Sequence, residues 1–239
     1  MIAHDLRAVG VDVDCLPLAD VPVAEADPVI GDRAYGATPD KVAALAGAIA
    51  AGLANGGVLP VLKHLPGHGR AAADSHASLP VVTTDRETLE QTDFAAFRPL
   101  ARLPLGMTAH VVFSAIDSTA PATTSATMVR EVIRGFIGFQ GLLMSDDVSM
   151  GALSGTLGER SRAAIAAGCD VVLHCNGKLD EMREVADASP RLTGVAAQRA
   201  DAALAARGNP GEFDAVAGRK VFEEMLAPFW QGAQQVARA

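Results

Sequence analysis

The sequence predicts an α/β fold of the (β/α)8-barrel class, incomplete here, with about five of the eight β/α units present. Three observations predict it. Short apolar runs rich in branched residues alternate with stretches of helical period, which calls for a parallel sheet. Residues with chemical potential recur at the C-terminal ends of those runs: Lys63 and His64, His110, Asp146 and Asp147, and His174. That is where a barrel carries its functional residues, and also where an open doubly wound sheet binds ligands. No GxGxxG or Walker-type sequence favours the open sheet, so the barrel is the better reading.

Ile2, Leu6 and Val9 form the stripe of a short opening helix that stops at Gly10. Val11 to Leu18 alternates apolar and polar before turning apolar, and reads as the first strand, with Pro17 at its end. A loop holding Asp20, Asp32, Arg33 and Tyr35 follows. Thr38 caps the next helix, Pro39 opens it, and Val42, Leu45, Ile49 and Leu53 keep its period until Asn55-Gly56. Val58 to Leu62 is the second strand, and Leu89, Phe94, Phe97 and Leu100 mark a broken helical segment. Leu105 to Phe113 is the third strand, with His110 near its end, and Ser125 caps a helix carrying Val129, Val132, Ile133 and Phe136 on one face. Gly141 to Ser145 is the fourth strand, a helix over about Glu159 to Ala167 closes on Gly168, and Asp170 to Cys175 is the fifth, with another helix from Lys178. Five strands cannot close an eight-stranded barrel, and the opening helix lacks a strand before it. The expectation is one partial domain over residues 1–239 that begins part-way through a barrel, with the barrel part over about 1–190 and a helical tail over about 191–239.

Charged residues make up 20% of the chain and apolar residues 49%, the balance of a globular domain. The net charge of -8 offers no basic field to a nucleic-acid partner. Cys15, Cys169 and Cys175 match no zinc-ligand spacing and read as reduced core thiols. The opening MIAHDLRAVG has no apolar h-region, and no run approaches the length of a membrane span. These features give the expectation of a cytoplasmic chain without a membrane partner.

Lys63 to His76 (KHLPGHGRAAADSH) packs polar, ionisable residues most densely. Asp74 and His76 are one residue apart, so on a loop the carboxylate can brace the imidazole, fixing its tautomer for proton transfer. The same pair also fits an ordinary exposed loop. Asp146 at a strand end has the position of a nucleophile or charge stabiliser, with N-capping as the alternative for it or for Asp147. Lys63 and His64 offer donors to a polyhydroxylated ligand, or are polar groups satisfied by their neighbours. A zinc site built from His64, His68, Asp74, His76 and His110 is the competing chemistry, although the spacing fits no zinc motif. Met107, Met144 and Met150 read as core, and His4 as surface.

Lys63-His64-Leu65-Pro66-Gly67-His68-Gly69 followed by Asp74-Ser75-His76 resembles the KHFPGHG...DSH signature of family 3 glycoside hydrolases, in particular the family's bacterial β-N-acetylhexosaminidases. Ser145 to Met150 (SDDVSM) resembles the family's SDDLSM segment, and Gly31 to Gly36 (GDRAYG) resembles its R-[SA]-[FY]-G segment. Met107 to His110 also has a counterpart at a barrel-strand end. The resemblance runs in order from the first helix to about Asn176. It implies a (β/α)8 barrel that hydrolyses terminal, non-reducing N-acetylglucosamine β-linkages with retention of configuration, typically in peptidoglycan fragments (muropeptides) recycled in the cytoplasm. Carried over, Asp146 is the nucleophile, His76 the general acid/base and Asp74 its orienting partner, while Arg33, Lys63 and His64 hold sugar hydroxyls. No metal or organic cofactor is needed. A histidine then replaces the second carboxylate of most retaining glycosidases, and the Gly/Pro-rich stretch between His64 and Asp74 reads as a hinge that swings His76 inward. Family members carry about a hundred further residues before the point matching Met1. Against this stands a non-catalytic remnant that binds amino sugars, or that self-associates through an unpaired barrel edge.

Overall fold

The structure is a computed structural model describing residues 1–236. Its strands are β1 (Val13–Asp14), β2 (Leu59–Leu65), β3 (Val81–Val82), β4 (Leu105–Thr108), β5 (Val112–Phe113), β6 (Leu142–Asp147) and β7 (Val171–Leu173). Five of them make one parallel sheet in the order β1-β2-β4-β6-β7, and β3 pairs with β5 beside it. In the main sheet the spatial order never reverses, so each strand lies beside the preceding one in the chain. That is the order of a barrel segment; a doubly wound sheet has a switch point.

The helices are α1 (Ile2–Ala8), α2 (Pro39–Asn55), α3 (Arg86–Gln91), a π-helical segment over Met128–Phe136, α4 (Leu157–Ala167), α5 (Leu179–Ala188), α6 (Gly194–Ala205) and α7 (Ala215–Val236). Helix α4 starts on a capping box between Thr156 and Glu159 and ends on Gly168 at φ +114°, a left-handed conformation that glycine adopts without steric cost. Ser125 caps its helix as the sequence suggests, its Oγ accepting from the Met128 N–H at 3.0 Å. That helix is then wound wider than an α-helix, as the Ile137 N–H reaches back to the Val132 carbonyl.

Several boundaries differ from expectation for local reasons. The first strand shrinks to two residues because Pro17 has no N–H for a ladder, although the Leu16 and Pro17 carbonyls still accept from Val61 and Lys63. The run from Leu105 to Phe113 divides in two. His110 and Thr123 bind each other there, and the second half pairs with β3 instead of the main sheet. Conversely, β2 and β6 run longer than expected and carry Lys63, His64, Asp146 and Asp147 within the strands themselves. Helix α1 forms, but it buries Ala3 and leans Leu6 inward, leaving Ile2 and Val9 exposed. Cys169 is buried as a core thiol, whereas Cys15 is half-buried and Cys175 is exposed, which corrects the reading of all three as core.

The sheet has two apolar faces, as strand periodicity requires. Leu62, Leu65 and Leu143 face outward to Val42, Ala46, Phe94, Phe139 and Ala164 of the surrounding helical layer. Leu59, Val61, Leu105, Met107 and Leu142 face inward, with Met144, Val171 and Leu173 packed against them. Helix α6 covers this inner face through Ala200 and Ala203. The expected C-terminal tail therefore supplies the partner layer for the concave side of the sheet. The edge strands β1 and β7 are short, two and three residues, which limits the backbone available for edge pairing. At the N-terminal end of the sheet, Asp170 joins Arg134 and Arg199, both at 2.9 Å, and also accepts from the Leu143 N–H, tying α6 to β6.

Candidate functional site

The inward face of β6 carries Leu142 and Met144, so strand alternation places Asp146 next on that face, at the C-terminal mouth. Its Oδ1 accepts from the Asp147 N–H at 2.8 Å, while its Oδ2 lies 4.0 Å from His64 Nε2. One carboxylate oxygen is thus held and the other is turned to the site. Asp147 takes the capping role, accepting from both the N–H and the hydroxyl of Ser149 at 2.9 and 2.7 Å.

His64 is buried and donates from Nδ1 to Asp20 Oδ2 at 2.7 Å. The other oxygen of Asp20 accepts from the N–H groups of His64 and His68, at 3.3 and 2.7 Å. Asp20 is fully buried. Its desolvation pushes the carboxyl pKa up, but His64 and His68 together outweigh that and leave it below the ordinary value. Asp20 is not among the residues that the sequence singles out. Its signal was a lone carboxylate inside the apolar run LPLADVPV, which has to find partners when buried.

Asp74 and His76 meet as the spacing suggests: the His76 N–H and Nδ1 both donate to Asp74 Oδ1, at 2.9 and 2.7 Å. These two bonds hold the Asp74 carboxyl below its usual range, the backbone one contributing most. With Nδ1 committed to Asp74, Nε2 is the free ring nitrogen of His76. The pair sits on an exposed turn, with Ser75 buried between them and its Oγ 3.0 Å from His68 Nε2. Within the stretch read as a hinge, Pro66 to Gly69 are all four buried, whereas Arg70, Ala72 and Ala73 are not. At Gly69 a β-carbon would fall 2.2 Å from the Val21 carbonyl oxygen, so the backbone here packs directly on its neighbour. Arg70 is likewise tied down, to Asp93 at 2.9 Å.

His110 lies behind the mouth, donating from Nε2 to the Asp147 carbonyl at 3.0 Å with Nδ1 2.7 Å from Thr123 Oγ1. Arg33 is exposed and its guanidinium donates to the Val29 carbonyl at 3.1 Å. A cavity of about 130 Å³ gathers Arg33, Lys63, His64, His68, Ser75, His76 and Asp146 on its wall, with Asp74 behind His76. Five of the six residues singled out from the sequence therefore line one small polar pocket, and the sixth, Asp74, is bonded to His76. A larger cavity of about 610 Å³ under α6 is lined mainly by apolar groups, and its Arg199 is already paired to Asp170. The imidazoles of His64, His68, His76 and His110 each have a separate protein partner, and among the described residues no three His, Cys, Asp or Glu side chains are placed to hold a metal ion.

Burial depresses the pKa of both His68 and His110, against the opposing pull of Asp20 on the first and Asp146 on the second. A group of this kind binds fewer protons folded than unfolded. Its contribution to stability is complete above the unfolded value of 6.5 and is lost as pH falls through it toward the folded value. The midpoint of thermal unfolding is accordingly expected to be lower at about pH 5.5 than at about pH 7.5, with a smaller difference in His110→Gln. Equal pH dependence in wild type and variant would contradict the assignment to His110.

A parallel barrel segment with its polar site at the strand C-termini defines a barrel domain of the enzyme-bearing α/β class. The chain belongs to glycosyl hydrolase family 3, whose N-terminal domain model matches residues 1–205. It is 46% identical over 180 residues to a β-hexosaminidase of Alkalilimnicola ehrlichii, covering 74% of this chain and 51% of that protein. It is 40% identical over 190 residues to a β-hexosaminidase of Neisseria meningitidis, covering 77% and 52%. The chain thus spans about half the length of these curated relatives. Among solved structures it resembles a family 3 β-N-acetylglucosaminidase from Paenibacillus, with a TM-score of 0.81 and 31% identity over 90% of this chain and 44% of the other. It also resembles NagZ from Neisseria gonorrhoeae in complex with N-trifluoroacetyl-D-glucosamine, with a TM-score of 0.76 and 36% identity over 91% and 62%.

Proposed function

We propose that this chain carries the catalytic centre of a retaining exo-β-N-acetylglucosaminidase that removes terminal, non-reducing N-acetylglucosamine from peptidoglycan fragments in the cytoplasm. The observation that carries the reading is the convergence of Asp146, His76, His64, Lys63 and Arg33 on one cavity, with Asp74 bonded to His76. The likeness to β-hexosaminidases and to a structure binding an N-acylglucosamine supports the sugar class.

In the first step Asp146 Oδ2 attacks the anomeric carbon while His76 Nε2 gives its proton to the departing glycosidic oxygen. Asp74 holds the ring by Nδ1, which leaves Nε2 to face the leaving group. In the second step the same nitrogen takes a proton from water, which attacks the glycosyl-enzyme ester and releases the sugar with its β configuration retained. Lys63 and His64 hold the hydroxyls, and Arg33 closes the rim.

The test is to incubate the 239-residue chain with an aryl N-acetyl-β-glucosaminide and follow the anomeric proton signals. The β-anomer is expected to form first. Initial α-anomer would overturn retention, and hydrolysis of an aryl glucoside but not of the N-acetylglucosaminide would overturn the substrate class.

A further inference from the structure

The turn that presents Asp74 and His76 is clasped from the other side of the site. The His76 carbonyl accepts from the Gly151 N–H at 3.0 Å, and the Ser75 carbonyl accepts from the Ala152 N–H at 3.1 Å. Both donors lie in the turn that leaves β6 just after Asp146 and Asp147. At Gly151 the two turns are in such close contact that a β-carbon would stand 2.8 Å from the His76 carbonyl oxygen and 2.9 Å from that of Ala77. Gly151 does not have a positive φ. Its backbone conformation is therefore open to any residue, and it is the space alone that excludes a side chain.

We propose that Gly151 is a positioning residue for proton transfer. By having no side chain it lets the turn after the nucleophile strand hold the acid/base turn through two backbone bonds, so the placement of His76 relative to Asp146 is set by β6 itself. This rests on the reading of His76 as acid/base and Asp146 as nucleophile. A rigid reference is required because proton transfer needs hydrogen-bond reach, and displacements on the order of 1 Å cost about 100-fold in rate. The residues from Pro66 to Gly69 pack at the near end of the loop, and the clasp at Gly151 and Ala152 holds its far end.

Gly151→Ala adds one methyl group at an exposed position between the buried Met150 and Ala152 and should push the His76 carbonyl away. Two substrates separate positioning from general damage. 2,4-Dinitrophenolate leaves its glycoside without a proton, whereas a disaccharide with a sugar leaving group needs the acid. The variant is expected to lose roughly 10- to 100-fold in kcat/KM on the disaccharide and less than about threefold on the dinitrophenyl glycoside. Equal loss on both, or no loss on either, would overturn the proposal. A second measurement needs neither activity nor the variant. In the wild-type chain the Gly151 amide should exchange slowly with deuterium although Gly151 is exposed, and fast exchange would overturn the clasp. Should the wild type cleave neither substrate, the catalytic reading fails by itself, while the exchange result still decides whether Gly151 holds the turn.

Discussion

Asp146→Asn is expected to lower turnover of an aryl N-acetyl-β-glucosaminide by roughly 10⁴-fold or more while the protein remains folded. The two outcomes come from different oxygens of the same side chain. Oδ1 accepts from the Asp147 N–H at 2.8 Å, a bond that an asparagine carbonyl oxygen can keep. Oδ2, facing His64 Nε2 at 4.0 Å, becomes an uncharged amide that cannot form the glycosyl ester or balance the oxocarbenium-like charge of the transition state. Because the side chain is half-buried and isosteric, unfolding stability should stay within about 1 kcal/mol of wild type. Kinetics and a thermal melt on the same preparation check both halves. A variant that keeps full activity would remove Asp146 from the mechanism, and one that unfolds would make it a structural carboxylate.

The parts of this molecule legible in the sequence are those governed by local period and by chain order. Alternation along β6 puts Asp146 on the face shared with Leu142 and Met144, and the spacing of Asp74 and His76 allows the bond that the structure shows. What sequence could not supply are contacts made across large separations. Asp20 binds His64 and His68 from another element, and its apolar neighbours give only the hint that a charge there must be satisfied. Gly151 looks like an ordinary turn glycine until the His76 carbonyl is found against it. The packing of Pro66 to Gly69 was hidden for the same reason. Glycine and proline signal a sharp turn, but whether a turn is free depends on what packs over it, here the Val21 backbone and the side chains of Asp93 and Phe97. The long strand expected over Leu105 to Phe113 broke because a buried His110 is held by Thr123, a partner brought in by the next connection.

Replacing Asp20 is expected to have the largest effect on stability of any single change at the site, and the choice of substituent separates folding from binding. Asp20→Ala removes the acceptor for the His64 and His68 N–H groups and for His64 Nδ1, leaving buried donors unpaired. By analogy with breaking a buried charge-assisted pair, the cost is roughly 3–5 kcal/mol, readable in a denaturant melt. In wild type this stabilisation is present above the unfolded carboxyl value and is lost as pH falls through the depressed folded one, so the variant should also show a flatter acid limb. Asp20→Asn is the more informative change. Its carbonyl oxygen can keep both backbone N–H donors, but its amide group then faces His64 Nδ1 as a donor. The imidazole must move its proton to Nε2, the nitrogen that faces Asp146. With Nδ1–H bonded to Asp20, the neutral ring offers Nε2 as an acceptor for a sugar hydroxyl; in the asparagine variant it offers a donor and competes for Asp146. The expected result is a milder loss of stability than in the alanine variant, together with about a tenfold rise in KM for the N-acetylglucosaminide, the equivalent of one lost hydrogen bond. Unchanged KM in a folded Asp20→Asn protein would show that the tautomer of His64 does not matter to the sugar, and would reduce Asp20 to a buried structural brace.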